Sequence, residues 1–257
     1  MSFAITLRPV FSESRIANFG VIAIVAAWWL WSRNLPEYVL PGPLVVGRRM
    51  AELAVDATFL HHLVLSLARI ALALTLAMIL GAALALLPFY RPGSRYVVER
   101  VNLPFFNSFP SIGWVLLATI WFGVSEKTVI FIQVAILLPF CLINVAEGVR
   151  VLDAEALELG KSFTRRSARV FFRIVMPSLV PYLIGALRIS YGVAWKIALL
   201  AELFGARDGV GYVMLQAQVA ADSTTVLATC LYIVLLFVLG DRLVIQALAR
   251  RFGEIRR

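Results

Sequence analysis

The sequence predicts an all-α integral membrane protein with about six transmembrane helices, and three observations lead to this class. The 257 residues are 61% hydrophobic, only 15% are charged, and the mean hydropathy is +0.88. Soluble domains are about 45–50% apolar and about 25% charged. The apolar residues are gathered in runs near the roughly 20 residues that a helix needs to cross a bilayer. The net charge of +9 is divided among these runs, which indicates juxtamembrane positive charge rather than nucleic-acid binding.

The predicted transmembrane segments are the apolar runs of sufficient length. They lie at about 17–33, 62–88, 101–123, 128–148, 178–200 and 224–247. The first run ends with Trp28, Trp29 and Trp31, and aromatic side chains anchor a helix in the membrane interface. No small-x-small cleavage pattern follows it, so we expect this run to be retained rather than removed as a signal peptide. Pro104 and Pro110 indicate that the third segment is kinked or split.

A more polar stretch separates the first two spans. Residues 35–59 read LPEYVLPGPLVVGRRMAELAVDATF and are too polar to cross the membrane. The prolines predict a turn, and the pattern over 43–56 predicts an amphipathic helix that lies in the interface.

The distribution of basic residues predicts the orientation. With the N-terminus in the cytoplasm, 15 lysines and arginines fall in the cytoplasmic segments and five in the segments on the other side. Positive residues are enriched on the cytoplasmic side of membrane proteins. We therefore expect both termini in the cytoplasm, with residues 150–176 as the largest cytoplasmic loop.

This loop has a helical pattern of charges. Its arginines recur every four residues: Arg165, Arg169 and Arg173. That spacing places them along one face of a helix, with apolar side chains on another. We expect two short amphipathic helices joined by a turn near 161–164, with Pro177 ending the second helix before the fifth span. Such a pair either rests on anionic lipid or docks a cytoplasmic partner, and the pattern alone leaves both open.

No nucleotide or metal site is predicted for this chain. Gly160-Lys161-Ser162 matches the last residues of a phosphate-binding loop, but the glycine required five positions earlier is replaced by Glu155. The adjacent His61-His62 pair would point about 100° apart on a helix and would not chelate one metal. The two cysteines lie in apolar runs without the spacing of metal ligands.

The loop resembles a known signature. Glu158-Leu159-Gly160, Thr164 and Ile174-Val175-Met176-Pro177 are similar to the Glu-Ala-Ala…Gly…Ile-x-Leu-Pro motif of bacterial ABC importer permeases. The spacing agrees, whereas Leu159 and Thr164 depart from the motif. The resemblance covers nearly the whole chain and is closest to the nitrate/sulfonate/taurine type. The further matching stretches are LPGP at 40–43, HLVLSLAR at 62–69, FPSIGWVLLATIWFGVSEK at 109–127, LPFCLINVAEGV at 138–149, ALRISYGVAWKIALLAELFG at 186–205 and GVGY at 209–212.

This resemblance implies that the loop is a coupling helix that docks in a groove of a cytoplasmic ATPase. The coupling residues that it implies are Glu155, Glu158, Gly160, Phe163, Thr164, Arg165 and Pro177. ATP and magnesium would then bind to the ATPase dimer, and this chain would bind no cofactor and catalyse no reaction. The other implied partners are membrane lipid, a second copy of the chain in a homodimer, and a periplasmic solute-binding protein that contacts 202–222 and 43–56.

The resemblance also implies a location and a class of cargo. The chain is expected to be a multi-pass protein of the bacterial inner membrane. Its cargo is expected to be a small anion such as a sulfonate, taurine, nitrate or bicarbonate. Similar permeases carry flavin or pyrimidine precursors, which remain an alternative.

Polar side chains inside the spans are candidates for the solute path, because ionisable groups are costly there. The candidates are Arg69, Trp114, Gln133, Trp195, Lys196 and Glu202. For Arg69 and Glu202 the alternative is pairing between helices, and for Gln133 it is an interhelical hydrogen bond. Arg69 and Lys196 could supply fixed positive charge to an anion. Four glycines are expected to permit close helix packing instead: Gly81, Gly113, Gly185 and Gly192.

Two other classes of membrane protein are alternatives to a permease that depends on an ATPase. A self-sufficient secondary carrier or channel often contains internal repeats, and the two halves of this sequence show no similarity. An integral-membrane enzyme would need a cluster of catalytic groups at one depth, and no such motif is present in the sequence.

Overall fold

The computed structural model describes residues 13–152, 158, 162–164 and 166–247, and within them every regular element is helical. The α-helices are α1 (Glu13–Ser32), α2 (Pro43–Val55), α3 (Ala57–Tyr90), α4 (Leu103–Ser108), α5 (Ser111–Phe122), α6 (Glu126–Arg150), α7 (Ser167–Val170), α8 (Met176–Gly205), α9 (Val210–Val219) and α10 (Ser223–Gly240). A wide π-helical turn, Phe171–Val175, joins α7 to α8, and another, Asp241–Ile245, follows α10. The predicted all-α class is confirmed.

Four helices are long and apolar enough to cross a membrane. They are Ala57–Tyr90, Glu126–Arg150, Ser167–Gly205 and Ser223–Leu243. The first three contain the predicted spans 62–88, 128–148 and 178–200 and extend beyond both ends of each, whereas the fourth ends at Leu243, four residues before the predicted end of the span 224–247. The first predicted span corresponds to Phe19–Ser32, which is apolar but shorter. By length and composition the described helices therefore supply four spans, or five if the bent third segment is counted as one.

The third predicted span is split, as its prolines indicated. Its halves, Arg100–Ser108 and Ser111–Phe122, meet at an angle of 91°. Phe109 between them is extended, with ψ 126°, because the residue before a proline is disfavoured in the α conformation. Pro110 then forms the N-cap of α5.

Helices α3, α6 and α8 form the centre of the bundle. A Cβ added at Gly81 of α3 would lie 2.6 Å from Cβ of Cys141 on α6, so the glycine permits the close packing predicted for it. The Cys141 thiol is buried, 3.2 Å from the Ser190 hydroxyl of α8. The described residues do not bear out the prediction for Gly185 and Gly192. Among them a Cβ at Gly185 would meet nothing within 4 Å and one at Gly192 only the Phe237 ring, at 4.0 Å.

The predicted amphipathic helix over 43–56 is α2. Its apolar face is buried through Val46 and Leu53, which pack with Phe59 of α3 and Ala228 of α10. The Nε of Arg49 donates a hydrogen bond of 2.9 Å to the Thr225 hydroxyl at the start of α10. Helix α2 is therefore attached to the ends of α3 and α10 that lie on the predicted outer side.

The segment predicted to be cytoplasmic contains a break and then one long helix. Ser162 and Phe163 are helical, Thr164 and Arg166 are not, and helix resumes at Ser167. From there it is continuous to Gly205 over 39 residues. The prediction that Pro177 ends this helix was wrong. The preceding wide turn, in which the Met176 amide bonds to the Phe171 carbonyl, accommodates the proline ring within the helix.

Candidate functional site

A buried arginine collects three carboxylates at the predicted outer end of the bundle. Arg69 on α3 is 4% exposed. Its Nε lies 2.8 Å from Oε2 of Glu126 at the start of α6, and its Nη1 lies 3.1 Å from Oε1 of Glu202 near the end of α8. Its Nη2 also pairs with Asp208, in the loop after α8. We call these four residues the Arg69 cluster.

The same cluster holds the N-terminus of α9. Glu202 is 0% exposed and accepts hydrogen bonds from the Ser66 hydroxyl, at 2.7 and 2.8 Å. The amides of residues 209–211 are bound one after another by His62 Nδ1 at 3.0 Å, Ser66 Oγ at 2.8 Å and Glu202 Oε2 at 2.9 Å. Because the first amides of a helix have no partner within it, side chains from α3 and α8 complete this helix end.

The glycines of the GVGY stretch are required by this contact. Gly209 has φ of +98°, and a Cβ there would lie 2.5 Å from the Glu202 carboxylate. A Cβ at Gly211 would lie 2.7 Å from both Glu202 Cβ and the Leu199 carbonyl oxygen. The chain can therefore approach the carboxylate only without side chains at these positions.

Of the two roles left open for Arg69 and Glu202, the described contacts are those of pairing between helices. Three carboxylates surround the guanidinium, so its positive charge is compensated; a role in the solute path stays a prediction. Sequence reasoning missed Ser66, Glu126 and Asp208. Glu126 and Asp208 lie at a helix start and in a loop, where charged residues are common and give no signal of a site.

Trp195 and Lys196, the other candidates for the solute path on α8, have different surroundings. Trp195 is buried beside Tyr191, with the two rings in a T-shaped, edge-to-face arrangement and their centroids 6.1 Å apart. Lys196 is exposed, and within the described part of the chain it has no hydrogen-bond or ion-pair partner. Both line a groove of about 570 Å³ between α8 and α10.

Trp114 and Gln133 lie inside the bundle. Trp114 packs among four phenylalanines, with centroid distances from 4.5 to 6.1 Å: Phe105, Phe106, Phe109 and Phe131. Gln133 is 0% exposed. Neither its amide atoms nor the Trp114 indole nitrogen has a hydrogen-bond partner among the described residues. The interhelical hydrogen bond expected of Gln133 is absent from these described contacts.

The predicted coupling residues fall partly outside the described residues: Glu155, Gly160 and Arg165 are not among them. Glu158 is exposed, and Phe163 is 82% exposed. Thr164 lines a cavity of about 530 Å³ shared with Phe89 and Tyr90 at the end of α3.

Comparison with known proteins identifies the family of this chain. Residues 73–253 match the family described as binding-protein-dependent transport system inner membrane component. The chain belongs to this family. The match includes the split span, the groove and the three carboxylates of the Arg69 cluster, whereas Arg69 itself lies four residues before the match begins.

Relatives with assigned names are ABC transport permeases. The taurine transport system permease protein TauC of Escherichia coli is 28% identical over 252 residues, which cover 93% of this chain and 90% of TauC. A probable ABC transporter permease protein of Brucella melitensis is 28% identical, covering 90% of this chain and 92% of its own. The formylaminopyrimidine transport permease protein ThiX of Halalkalibacterium halodurans is 28% identical, covering 85% and 87%. This chain is accordingly an ABC transport permease.

Proposed function

We propose that two copies of this permease form the membrane path of an ATP-driven importer for a small anionic solute. Membership of a binding-protein-dependent family supports import. The relative named for taurine supports a sulfonate. The observation that carries the anionic cargo is Lys196, a cation exposed on a spanning helix without a partner among the described residues. Ionisable groups at such depth usually face a water-filled cavity or a charged partner.

Coupling to ATP hydrolysis would pass through the long helix Ser167–Gly205. This helix begins beside the cytoplasmic break and carries Lys196 and Glu202 further along. At 1.5 Å per residue, its 39 residues span about 58 Å. An ATPase pair that closes against Glu158 and Phe163 would therefore push on one end of this helix. Because the helix is continuous, the motion would reach the groove and the Arg69 cluster.

The proposed orientation places both termini in the cytoplasm and the Arg69 cluster on the periplasmic side. The solute-binding protein would then dock on α2 and on the segment 202–222. This surface includes two exposed apolar side chains, Leu44 at the start of α2 and Val219 at the end of α9. Single exposed apolar residues are ordinary, so the docking rests on the position of both helices at the same end of the bundle.

A pyrimidine precursor is the second candidate cargo. The relative named for formylaminopyrimidine has the same 28% identity as the one named for taurine. The two candidates differ in chemistry, because taurine carries a sulfonate group and the pyrimidine precursor an aromatic ring. Uptake of labelled taurine and of a labelled pyrimidine by the complete transporter therefore distinguishes them.

The first test is ATPase activity of the permease in nanodiscs after co-expression with the ATPase encoded beside it. Glu158→Lys reverses the charge of an exposed coupling residue, and we expect stable co-purification of wild type and a loss of ATPase stimulation in the variant. Glu37→Lys makes the same change at an exposed position on the predicted outer side and should leave activity unchanged.

Two outcomes would overturn the proposal. If the permease purifies alone and Glu158→Lys changes nothing, the charged segment rests on lipid. Solute uptake that is driven by an ion gradient without ATP would instead favour the secondary carrier.

A further inference from the structure

The groove between α8 and α10 combines positive charge with apolar walls. Its α8 side carries Arg188, Gly192 and Lys196, which are spaced four residues apart and therefore share one helix face. Its α10 side is apolar and includes Val234 and Phe237. Both cations are exposed on the single chain.

The depth of the groove argues against a lipid-facing surface. Lys196 and Gly192 precede Glu202 by six and ten residues, so they lie about 9 and 15 Å from the Arg69 cluster along the helix. The cluster is near the predicted outer end of the spans, and the hydrocarbon core is about 30 Å thick. A lysine against lipid tails at this depth is costly, and intramembrane cations usually face water or a charged partner.

The positive charge in the groove is only partly compensated. The Nε of Arg188 lies 3.7 Å from Oδ1 of Asp241, at the cytoplasmic end of α10. Lys196, two helical turns away, has no such partner in the described ranges. Between them Gly192 leaves the backbone open, since an added Cβ would meet only the Phe237 ring, at 4.0 Å. The groove therefore has space and one unmatched positive charge.

We infer that this groove is a binding site for a small organic anion of the sulfonate or carboxylate class. Lys196 supplies the opposite charge, and Val234 and Phe237 contact the apolar part of the anion. Arg188 and Asp241 form the compensated cytoplasmic end, where the anion meets no net attraction. The inference rests on the proposed function, because it places this face of α8 toward the path between two copies.

Cysteine labelling in the complete transporter tests the site without measuring transport. Gly192→Cys is introduced with Cys141 and Cys230 replaced by alanine, and the permease–ATPase complex is placed in nanodiscs. Its reaction rates with 2-sulfonatoethyl and 2-(trimethylammonium)ethyl methanethiosulfonate are compared. We expect the anionic sulfonate reagent to react faster by roughly tenfold or more, because a cleft of one sign concentrates counter-charged molecules.

Substitutions of Lys196 in the Gly192→Cys protein distinguish the effect of its charge from the effect of its shape. Lys196→Met should bring the two labelling rates together, whereas Lys196→Arg should keep the preference for the anion. Taurine or butanesulfonate added in excess should slow labelling of Gly192→Cys.

A matched control sets the background for lipid-facing positions. Ile79 on α3 is ten residues from Arg69, as Gly192 is from Glu202, and it is 60% exposed among apolar neighbours. Because Arg69 and Glu202 are in contact, the two positions lie at similar depth. Ile79→Cys should show no anion preference that depends on Lys196.

Three results would overturn the inference. In the first, Gly192→Cys reacts with neither reagent. In the second, the cysteines of two copies form a disulfide with each other instead of being labelled. In the third, Lys196→Met does not change the ratio of the labelling rates with the anionic and the cationic reagent. The first two would show lipid or a dry contact between copies. Failure of the proposed function appears separately, as absent ATP-driven uptake by the wild-type complex.

Discussion

Arg69 and Glu202 form a buried ion pair, with Nη1 of the arginine 3.1 Å from Oε1 of the glutamate and side chains that are 4% and 0% exposed. The pair joins α3 to α8, and the same carboxylate binds the first turn of α9. Charges buried together in this way stabilise a structure mainly as a set, because removal of one partner leaves the other uncompensated.

Loss of Arg69 should therefore destabilise the permease more than loss of the Glu202 charge. Arg69→Met leaves three carboxylates without a cation, whereas Glu202→Gln leaves the guanidinium with two. We expect Arg69→Met to cost about 3–5 kcal/mol and Glu202→Gln less, measured by thermal unfolding in detergent. The double variant Arg69→Met/Glu202→Gln should be less destabilised than the sum of the two. Equal effects of the single variants would contradict a role for the arginine as the shared partner.

Gly209→Ala should disturb the contact between α9 and Glu202. The left-handed backbone at φ +98° and the 2.5 Å approach to the carboxylate both oppose a side chain, and such strain costs about 1–3 kcal/mol. Gly47→Ala is the control, because a Cβ there would meet none of the described residues within 4 Å and the position is inside α2. In a helix interior alanine is favoured by about 0.5–1 kcal/mol, so thermal unfolding should move in opposite directions for the two variants. An unchanged midpoint of thermal unfolding for Gly209→Ala would show that α9 does not need the close approach of residue 209 to the Glu202 carboxylate.

Acid should destabilise the start of α10 through Asp222. Burial raises the pKa of this carboxyl, but hydrogen bonds from the Thr225 amide and hydroxyl and the nearby charge of Arg49 outweigh it and hold the pKa below its usual range. A lowered folded-state pKa adds stability that is present above the unfolded value, about 3.9, and is lost as pH falls through the folded value. The stability difference between wild type and Asp222→Asn, which retains a capping side chain, should therefore shrink below about pH 4. A difference that stays constant from pH 7 to pH 3 would contradict this cap.

Replacement of Gln133 by leucine should stabilise the permease. The amide is fully buried and has no partner among the described residues, and an unsatisfied buried polar group costs about 1–3 kcal/mol. Leucine has similar size and removes that cost, so the midpoint of thermal unfolding should rise. A lower midpoint would mean that the amide has a hydrogen-bond partner in the folded permease.

Much of the fold follows from local sequence patterns. Apolar runs of sufficient length predicted the spanning helices, and Pro110 predicted the split third segment, because both effects act within a few residues. The amphipathic α2 was predictable for the same reason. The role of Pro177 was not, since the wide turn before it changes what a proline does to a helix.

The candidate site was likewise predictable only in part. The sequence marked Arg69, Lys196 and Glu202 as unusual, because charge inside an apolar run is visible without a structure. It could not reveal that Arg69 meets residues 57, 133 and 139 positions away, because no periodicity records which helices converge. It also could not separate Trp195 from Lys196, since adjacent helical residues point about 100° apart and only packing decides which is covered.

The sequence by itself thus determined the membrane class, the helical elements and the resemblance to importer permeases, all of which depend on composition and short-range order. Only the tertiary structure decided that the Arg69 charge is compensated by three carboxylates, and that Lys196 stands in an open groove opposite Phe237. The physical reason is that compensation and exposure depend on distances between helices that are remote in the chain.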